Sequence, residues 1–302
     1  MSAQVSDSPL RGSDAGVPGP AYAPAPLSRR VLRNPSMVLG GTIVLAVVLL
    51  ALVAVVWTPE NPLAVDPAHA LAPASWHHPF GTDEFGRDVL SRLMGGARLV
   101  LFAGAISVAI AAAAGIPIGL AAALRGGFVE DVLMRLVDLI YAFPALLAAI
   151  VLAAALGAST ATAMVAIGVA YIPVFARVTR SGALQVLGSD YVLAARAYRR
   201  RPGAIVVRHV LPNIMSMLIV QMSLLFSLAI LAEAGLSYLG LGTPPPAPSW
   251  GQMVQDAQDY LSRDPLLVLW PGIFIALAVL GFNLLGDGLR DVLDPRLRSS
   301  SK

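Results

Sequence analysis

Six long apolar runs follow one another along the chain, and polar residues collect between them. The runs cover about 37–57, 99–124, 132–156, 161–176, 210–231 and 266–285. As a helix, a run of ~20 apolar residues crosses a hydrocarbon layer ~30 Å thick. Backbone polar groups in lipid have no water to bind, so a spanning segment satisfies them internally as a helix. The pattern predicts an all-α, polytopic membrane protein with six transmembrane helices.

The intervals between the runs carry the detail. Residues 1–28 are rich in Ser, Pro, Gly and Ala, and a disordered tail is expected over 1–36. Arg29, Arg30 and Arg33 precede the first run. A signal peptide would show the same order. Here the apolar core is too long, and no cleavage site directly follows it, so 37–57 is read as a retained helix. Residues 58–98 form a loop in which 82–94 is predicted to be a short amphipathic helix lying at a membrane surface. Thr82 or Asp83 would cap it. Asp83 with Arg87 and Asp88 with Arg92 are i,i+4 pairs of opposite charge, and Phe85, Val89, Leu90, Leu93 and Met94 form the other face. Gly115 and Gly119 stand in GxxxG spacing with Pro117 between them, which lets helices approach closely. Arg135 and Asp138 are expected to pair locally, and Pro144 to kink the third span. Residues 157–160 make a tight connection, 240–251 is a Pro-rich loop, and 291–302 is a polar tail.

Composition agrees with the pattern. Of 302 residues, 57% are hydrophobic and 13% charged, and the mean hydropathy is +0.73. A soluble domain needs more polar surface. There is no cysteine, which excludes disulfides, thiolate metal sites and a cysteine nucleophile. The one lysine is Lys302, so the chain holds no P-loop and any ATP chemistry comes from another chain. His77 and His78 are adjacent and share no face, while His69 and His209 are remote, so no metal site is expected. No nucleic-acid partner is expected either.

Charge then sets sidedness. With six spans, 17 of the 21 Lys+Arg fall on the side of the termini. The other side holds Arg87, Arg92, Arg98 and Arg263. Basic loops resist translocation, so both termini are expected on the cytoplasmic side of the membrane.

The longest polar interruption in the second half, 177–213, carries Arg177, Arg180, Arg196, Arg199, Arg200, Arg201 and Arg208. Within it Ser189 or Asp190 can cap a short helix over 191–198. Tyr191, Leu193, Ala194, Ala197 and Tyr198 give that helix an apolar stripe. Arg199, Arg200 and Arg201 end it where the helix dipole favours cations. Pro202 and Gly203 turn the chain. A small helix held between two spans fits the groove of a soluble partner. The competing reading is that the arginines bind anionic lipid headgroups.

The segment SDYVLAARAYRRRPGAIVVRHVLPN resembles the EAA loop of binding-protein-dependent ABC importer permeases. That pattern is Glu-Ala-Ala, a Gly four residues after the second Ala, and a later Ile, His-x-Leu-Pro. Ala194, Ala195, Ile205, His209, Leu211 and Pro212 match it. Leu193 stands in place of the Glu and Arg199 in place of the Gly. HPFGTDEFGRDVLSRLMGGAR, LSYLGLGTPPPAPSWG and FNLLGDGLRDVLDPRL are similar to blocks of the peptide-importer branch, the C-type subunits of dipeptide and oligopeptide importers. Nickel importers share this architecture. The resemblance implies a type I ABC importer permease fold with a core over 99–290 and a coupling loop over 177–209. It implies a second homologous permease, two cytoplasmic ATPase subunits that carry ATP and Mg, and an extracytoplasmic substrate-binding protein. It makes Ser189, Asp190, Tyr191, Ala194, Ala195, Ala197, Arg199, Arg200, Arg201 and Gly203 the contact for the ATPase.

Four further residues are candidates for a face toward the binding protein: Asp83, Arg87, Pro245 and Trp250. Glu233 lies among Ala, Leu and Gly at the end of the fifth span. An acid there either meets a peptide's amino group along the path or makes a structural hydrogen bond or an ion pair with the partner subunit. Two rival classes are weaker. A lipid-modifying enzyme needs clustered Asp, Glu, His or Ser at one depth, and no such cluster is visible. A stand-alone channel or secondary transporter predicts inverted repeats and broken helices, and no clear repeat is visible.

Overall fold

The computed structural model describes residues 31–293. The expectations for the tail before residue 31, and for Arg296, Arg298 and Lys302, lie outside the described residues. The described chain is helical, with one isolated β-bridge. We number its helices α1 (Pro35–Val56), α2 (Val89–Arg125), α3 (Gly127–Tyr141), α4 (Ala145–Leu156), α5 (Thr160–Leu187), α6 (Asp190–Ala197), α7 (Leu211–Tyr238), α8 (Trp250–Ala257) and α9 (Leu266–Leu293). Helices α1, α2, α5, α7 and α9 are each long and apolar enough to span a membrane. The pair α3–α4 is bent by 79° and makes a sixth span when taken as one.

The termini of the elements follow from local chemistry. Asn34 accepts from the Met37 amide at 2.9 Å, and Pro35 opens α1 where its missing N–H costs nothing. The Asn34 amide also donates to Asp291 at 3.0 Å, tying the start of α1 to the end of α9. Asp88 accepts from the amide and hydroxyl of Ser91 at 2.8 and 2.6 Å and so caps α2. The amphipathic helix expected from Thr82 is therefore absent: 82–88 is a turn, and helix begins at Val89. Gly86 sits at φ +75°, and a Cβ there would lie 1.8 Å from the Asp66 carbonyl oxygen. Asp83 meanwhile accepts from the amides of Phe85 and Arg87. Such side-chain bonds hold a turn against a helix.

The strongest packing is between α2 and α5, which run parallel. A Cβ on Gly115 would meet Phe175 Cβ at 2.5 Å, and one on Gly119 would meet the Ala176 carbonyl at 2.4 Å. The GxxxG spacing thus serves contact within the chain. Helix α5 also runs on past Ala176, where a polar loop was expected. Arg177 pairs with Asp138 at 2.6 Å and lies 4.1 Å above the Tyr141 ring, and Arg180 pairs with Glu130. Both acids lie on α3, so the local Arg135–Asp138 pair expected from spacing gives way to Arg177–Asp138. The kink expected at Pro144 is a break at 142–144, with Pro144 in the N-cap position of α4.

Helix α9 packs antiparallel on both α1 and α7, with Ser223 of α7 donating to the Phe282 carbonyl at 2.8 Å. The start of α1, the ends of α2, α5 and α9, and α6 therefore share one end of the bundle. Helix α8 lies at the opposite end.

Candidate functional site

Helix α6 is eight residues long, too short to hold its shape alone. One side chain anchors it: Val192 is fully buried in the cluster that holds Leu187, Ile205 and Val210. Burial of one Val stabilises by roughly 1.5–3 kcal/mol. The expected stripe of Tyr191, Leu193, Ala194, Ala197 and Tyr198 is exposed, Tyr198 to 85%. The anchor was missed because Val192 breaks that stripe.

Ser189 occupies the N-cap position, but its hydroxyl turns back to donate to the Val186 carbonyl at 2.5 Å, and Asp190 opens the helix. At the other end the Arg199 amide donates to Arg196 O at 2.8 Å and the Arg200 amide to Ala195 O at 3.3 Å. Those two bonds make a Schellman motif, which places its C′ residue in the left-handed region. Arg199 is that residue, at φ +52°. Arg199 stands where the resembled pattern has Gly, and its backbone here is one that glycine adopts without strain.

Pro202 opens a single helical turn, Pro202–Ile205, and a π turn, Val206–Val210, joins it to α7. This return passes behind α6 and leaves a groove of about 730 Å³ between them. Tyr191, Ala194, Ala195, Tyr198 and Arg200 line it on one side, Arg208 and His209 on the other. The Tyr191 and His209 rings stand 6.0 Å apart. Arg201 and Gly203 are exposed beside it.

At the opposite end, three residues expected on a docking face are buried. Trp250 is 0% exposed. Its indole donates to Leu93 O at 2.9 Å and meets Phe274 edge-on at 5.7 Å. Asp83 accepts from Arg87 Nε at 2.6 Å and pairs with Arg92 at 3.4 Å. Arg92 was expected to pair with Asp88. It reaches Asp83 instead because Asp88 is turned toward Ser91 and His78. A cavity of about 20 Å³ between Arg92, Glu84 and Asp256 is large enough for one water. Burial pushes the carboxyls of Glu84 and Asp256 above their ordinary range. Of the four candidates, Pro245 is exposed.

Glu233 is 1% exposed inside α7, which runs past the expected end of the fifth span. Its Oε1 accepts from Ser237 at 2.7 Å and from Ser249 at 3.2 Å. It ties α7 to the start of α8. Its Oε2, also buried, has no partner among the described residues.

Comparison with known proteins accounts for this arrangement. Residues 115–299 match the model of the binding-protein-dependent transport system inner membrane component. The dipeptide transport system permease protein DppC of Alkalihalophilus pseudofirmus is 38% identical over 271 residues, covering 90% of this chain and 89% of the relative. The di/tripeptide transport system permease protein DppC of Pseudomonas aeruginosa is 42% identical over 270 residues, 87% of this chain and 89% of the relative. The glutathione transport system permease protein GsiD of Pectobacterium atrosepticum is 38% identical over 274 residues, 90% of each. Among solved structures, a chain of the inward-facing MetNI methionine ABC transporter superposes with a TM-score of 0.56 at 18% identity, covering 67% of this chain and 96% of that one. At that identity the likeness shows the fold, that of an ABC importer permease. The chain is a membrane-spanning transport subunit rather than an enzyme, and it belongs to the family of binding-protein-dependent transport system inner membrane components.

Proposed function

We propose that the chain forms half of the pathway of an ATP-driven importer of dipeptides or oligopeptides, and that α6 takes the stroke of a separate ATPase. The observation that carries this is α6 itself: one buried valine holds it, and its remaining seven residues are exposed or partly so. A helix so exposed between the ends of two spans is a handle for something outside the chain. The names of its relatives support a peptide cargo.

The rest of the assembly follows from that reading. A second homologous permease completes the pathway. Two cytoplasmic ATPases hold ATP and Mg, and an extracytoplasmic binding protein delivers the peptide. The end that carries α6, the start of α1 and the end of α9 faces the cytoplasm, as its excess of arginine supports. The loop around Pro245 faces the binding protein.

Reconstitution with the partner ATPases in proteoliposomes tests the stroke. Ala194→Asp with Ala195→Asp places charge where α6 lines the groove and leaves the spans intact. Peptide-stimulated ATP hydrolysis is expected to disappear while insertion is unchanged. Full stimulation in that variant would remove α6 from the mechanism.

A further inference from the structure

The groove behind α6 carries a charge imbalance. Arg200 and Arg208 both line it, one from each wall, and no carboxylate does. Among the described residues neither arginine enters an ion pair, whereas Arg87, Arg92, Arg177 and Arg180 each do. Both side chains are exposed. Tyr191, Tyr198 and His209 complete the lining, so the groove offers two guanidinium forks, two phenols and an imidazole. Position 193, on the exposed side of α6, is leucine, and the acid nearest in sequence, Asp190, does not line the groove.

That chemistry selects a carboxylate. A guanidinium binds a carboxylate through two parallel N–H···O bonds, and two guanidiniums without an ion-pair partner that line one groove both gain from an anion that enters it. Ala194 and Ala195 are the apolar part of the lining. We propose that the groove receives an Asp or Glu side chain of the ATPase subunit that docks on α6, held between Arg200 and Arg208. The inference rests on the docking reading above and adds its polarity: this chain supplies the cations and the motor supplies the acid. Leu193 supplies no carboxylate, and Asp190, at the start of α6, does not line the groove.

The test measures ATPase binding to the full-length permease complex in nanodiscs, between 50 and 500 mM NaCl on the order of the range over which exposed ion pairs are screened. One set of discs is pure phosphatidylcholine and the other contains phosphatidylglycerol. Wild-type affinity is expected to fall tenfold or more with salt in both lipids. Arg200→Ala with Arg208→Ala is expected to bind at least tenfold more weakly at low salt and to lose that salt dependence. Arg200→Lys with Arg208→Lys retains most of it, which separates charge from folding. Ala194→Trp, an uncharged wedge in the same groove, reports docking alone. If the wedge blocks binding while the alanine pair binds with wild-type affinity and salt response, the acid is absent and docking survives. If the wedge leaves binding intact, the docking reading itself fails. If the arginine effects vanish in phosphatidylcholine, the groove holds lipid headgroups and the proposal is overturned.

Discussion

Replacing Trp250 tests whether the end of the bundle opposite α6 is a locked joint or an open surface. The side chain is 0% exposed, and truncation to Ala empties a site walled by Phe274 and α2. Loss of a buried Trp costs about 3–5 kcal/mol, and loss of the indole bond to Leu93 O adds about 1 kcal/mol. An exposed docking residue would cost less than about 0.5 kcal/mol. Gly96 supplies the second arm. A Cβ there would lie 2.5 Å from Trp250 Cδ1 and 2.7 Å from its Nε1. Overpacking of that kind costs about 1–3 kcal/mol, set against about 1 kcal/mol that Ala gains over Gly in a helix. In the Trp250→Ala background the collision is gone and Gly96→Ala keeps its gain. The two substitutions should therefore be coupled by about 1–3 kcal/mol. Pulse proteolysis across an SDS titration in mixed micelles gives the four free energies of the cycle. Additivity within about 0.5 kcal/mol would falsify the packing described here.

Arg199→Gly relieves a left-handed residue while adding chain entropy to the unfolded state, for a net gain of about 0.5–1 kcal/mol at the end of α6. Amide exchange at Arg200 should slow about two- to fivefold, in line with that gain, and Arg199→Val should speed it; equal rates in the two variants would refute the Schellman assignment. Burial raises the Asp256 carboxyl, so just above the ordinary carboxylate range the fold keeps a proton that the unfolded chain has lost. Stability contributed there falls as pH rises through the raised value, and Asp256→Asn should flatten that part of the midpoint-against-pH curve in detergent; an unchanged slope would count against burial as the cause.

The spans were legible because lipid permits few structures and long apolar runs are unambiguous. Helix α6 was legible to one residue, since Asp190 and the triple arginine mark its ends in any context. What could not be read depended on partners distant in sequence. Arg177 and Arg180 look like the start of a loop until Asp138 and Glu130 appear beside them across α3. Thr82 to Arg87 has helical charge spacing, and the turn that replaces it is held by Asp83 and braced by the upstream Asp66, whose amide donates to Phe85 O at 3.0 Å. Trp250 and Glu233 carry no local sign of burial, because their neighbours come from α2 and the loop before α8. The Arg199 departure from the resembled pattern falls on a left-handed C′ residue, a conformation set by the Schellman bonds and not visible in the sequence.

The parallel union of α2 with α5 bears on how the protein is made. Two rods that point the same way are never joined by a hairpin, so the closest seam in the molecule waits for residues 126–159 to cross back first. Until then the notch at Gly115 and Gly119 faces lipid, and only when Phe175 and Ala176 arrive is it filled. Biogenesis is thereby ordered: the seam between α2 and α5 closes late, after the bent pair that separates its halves has been laid in place.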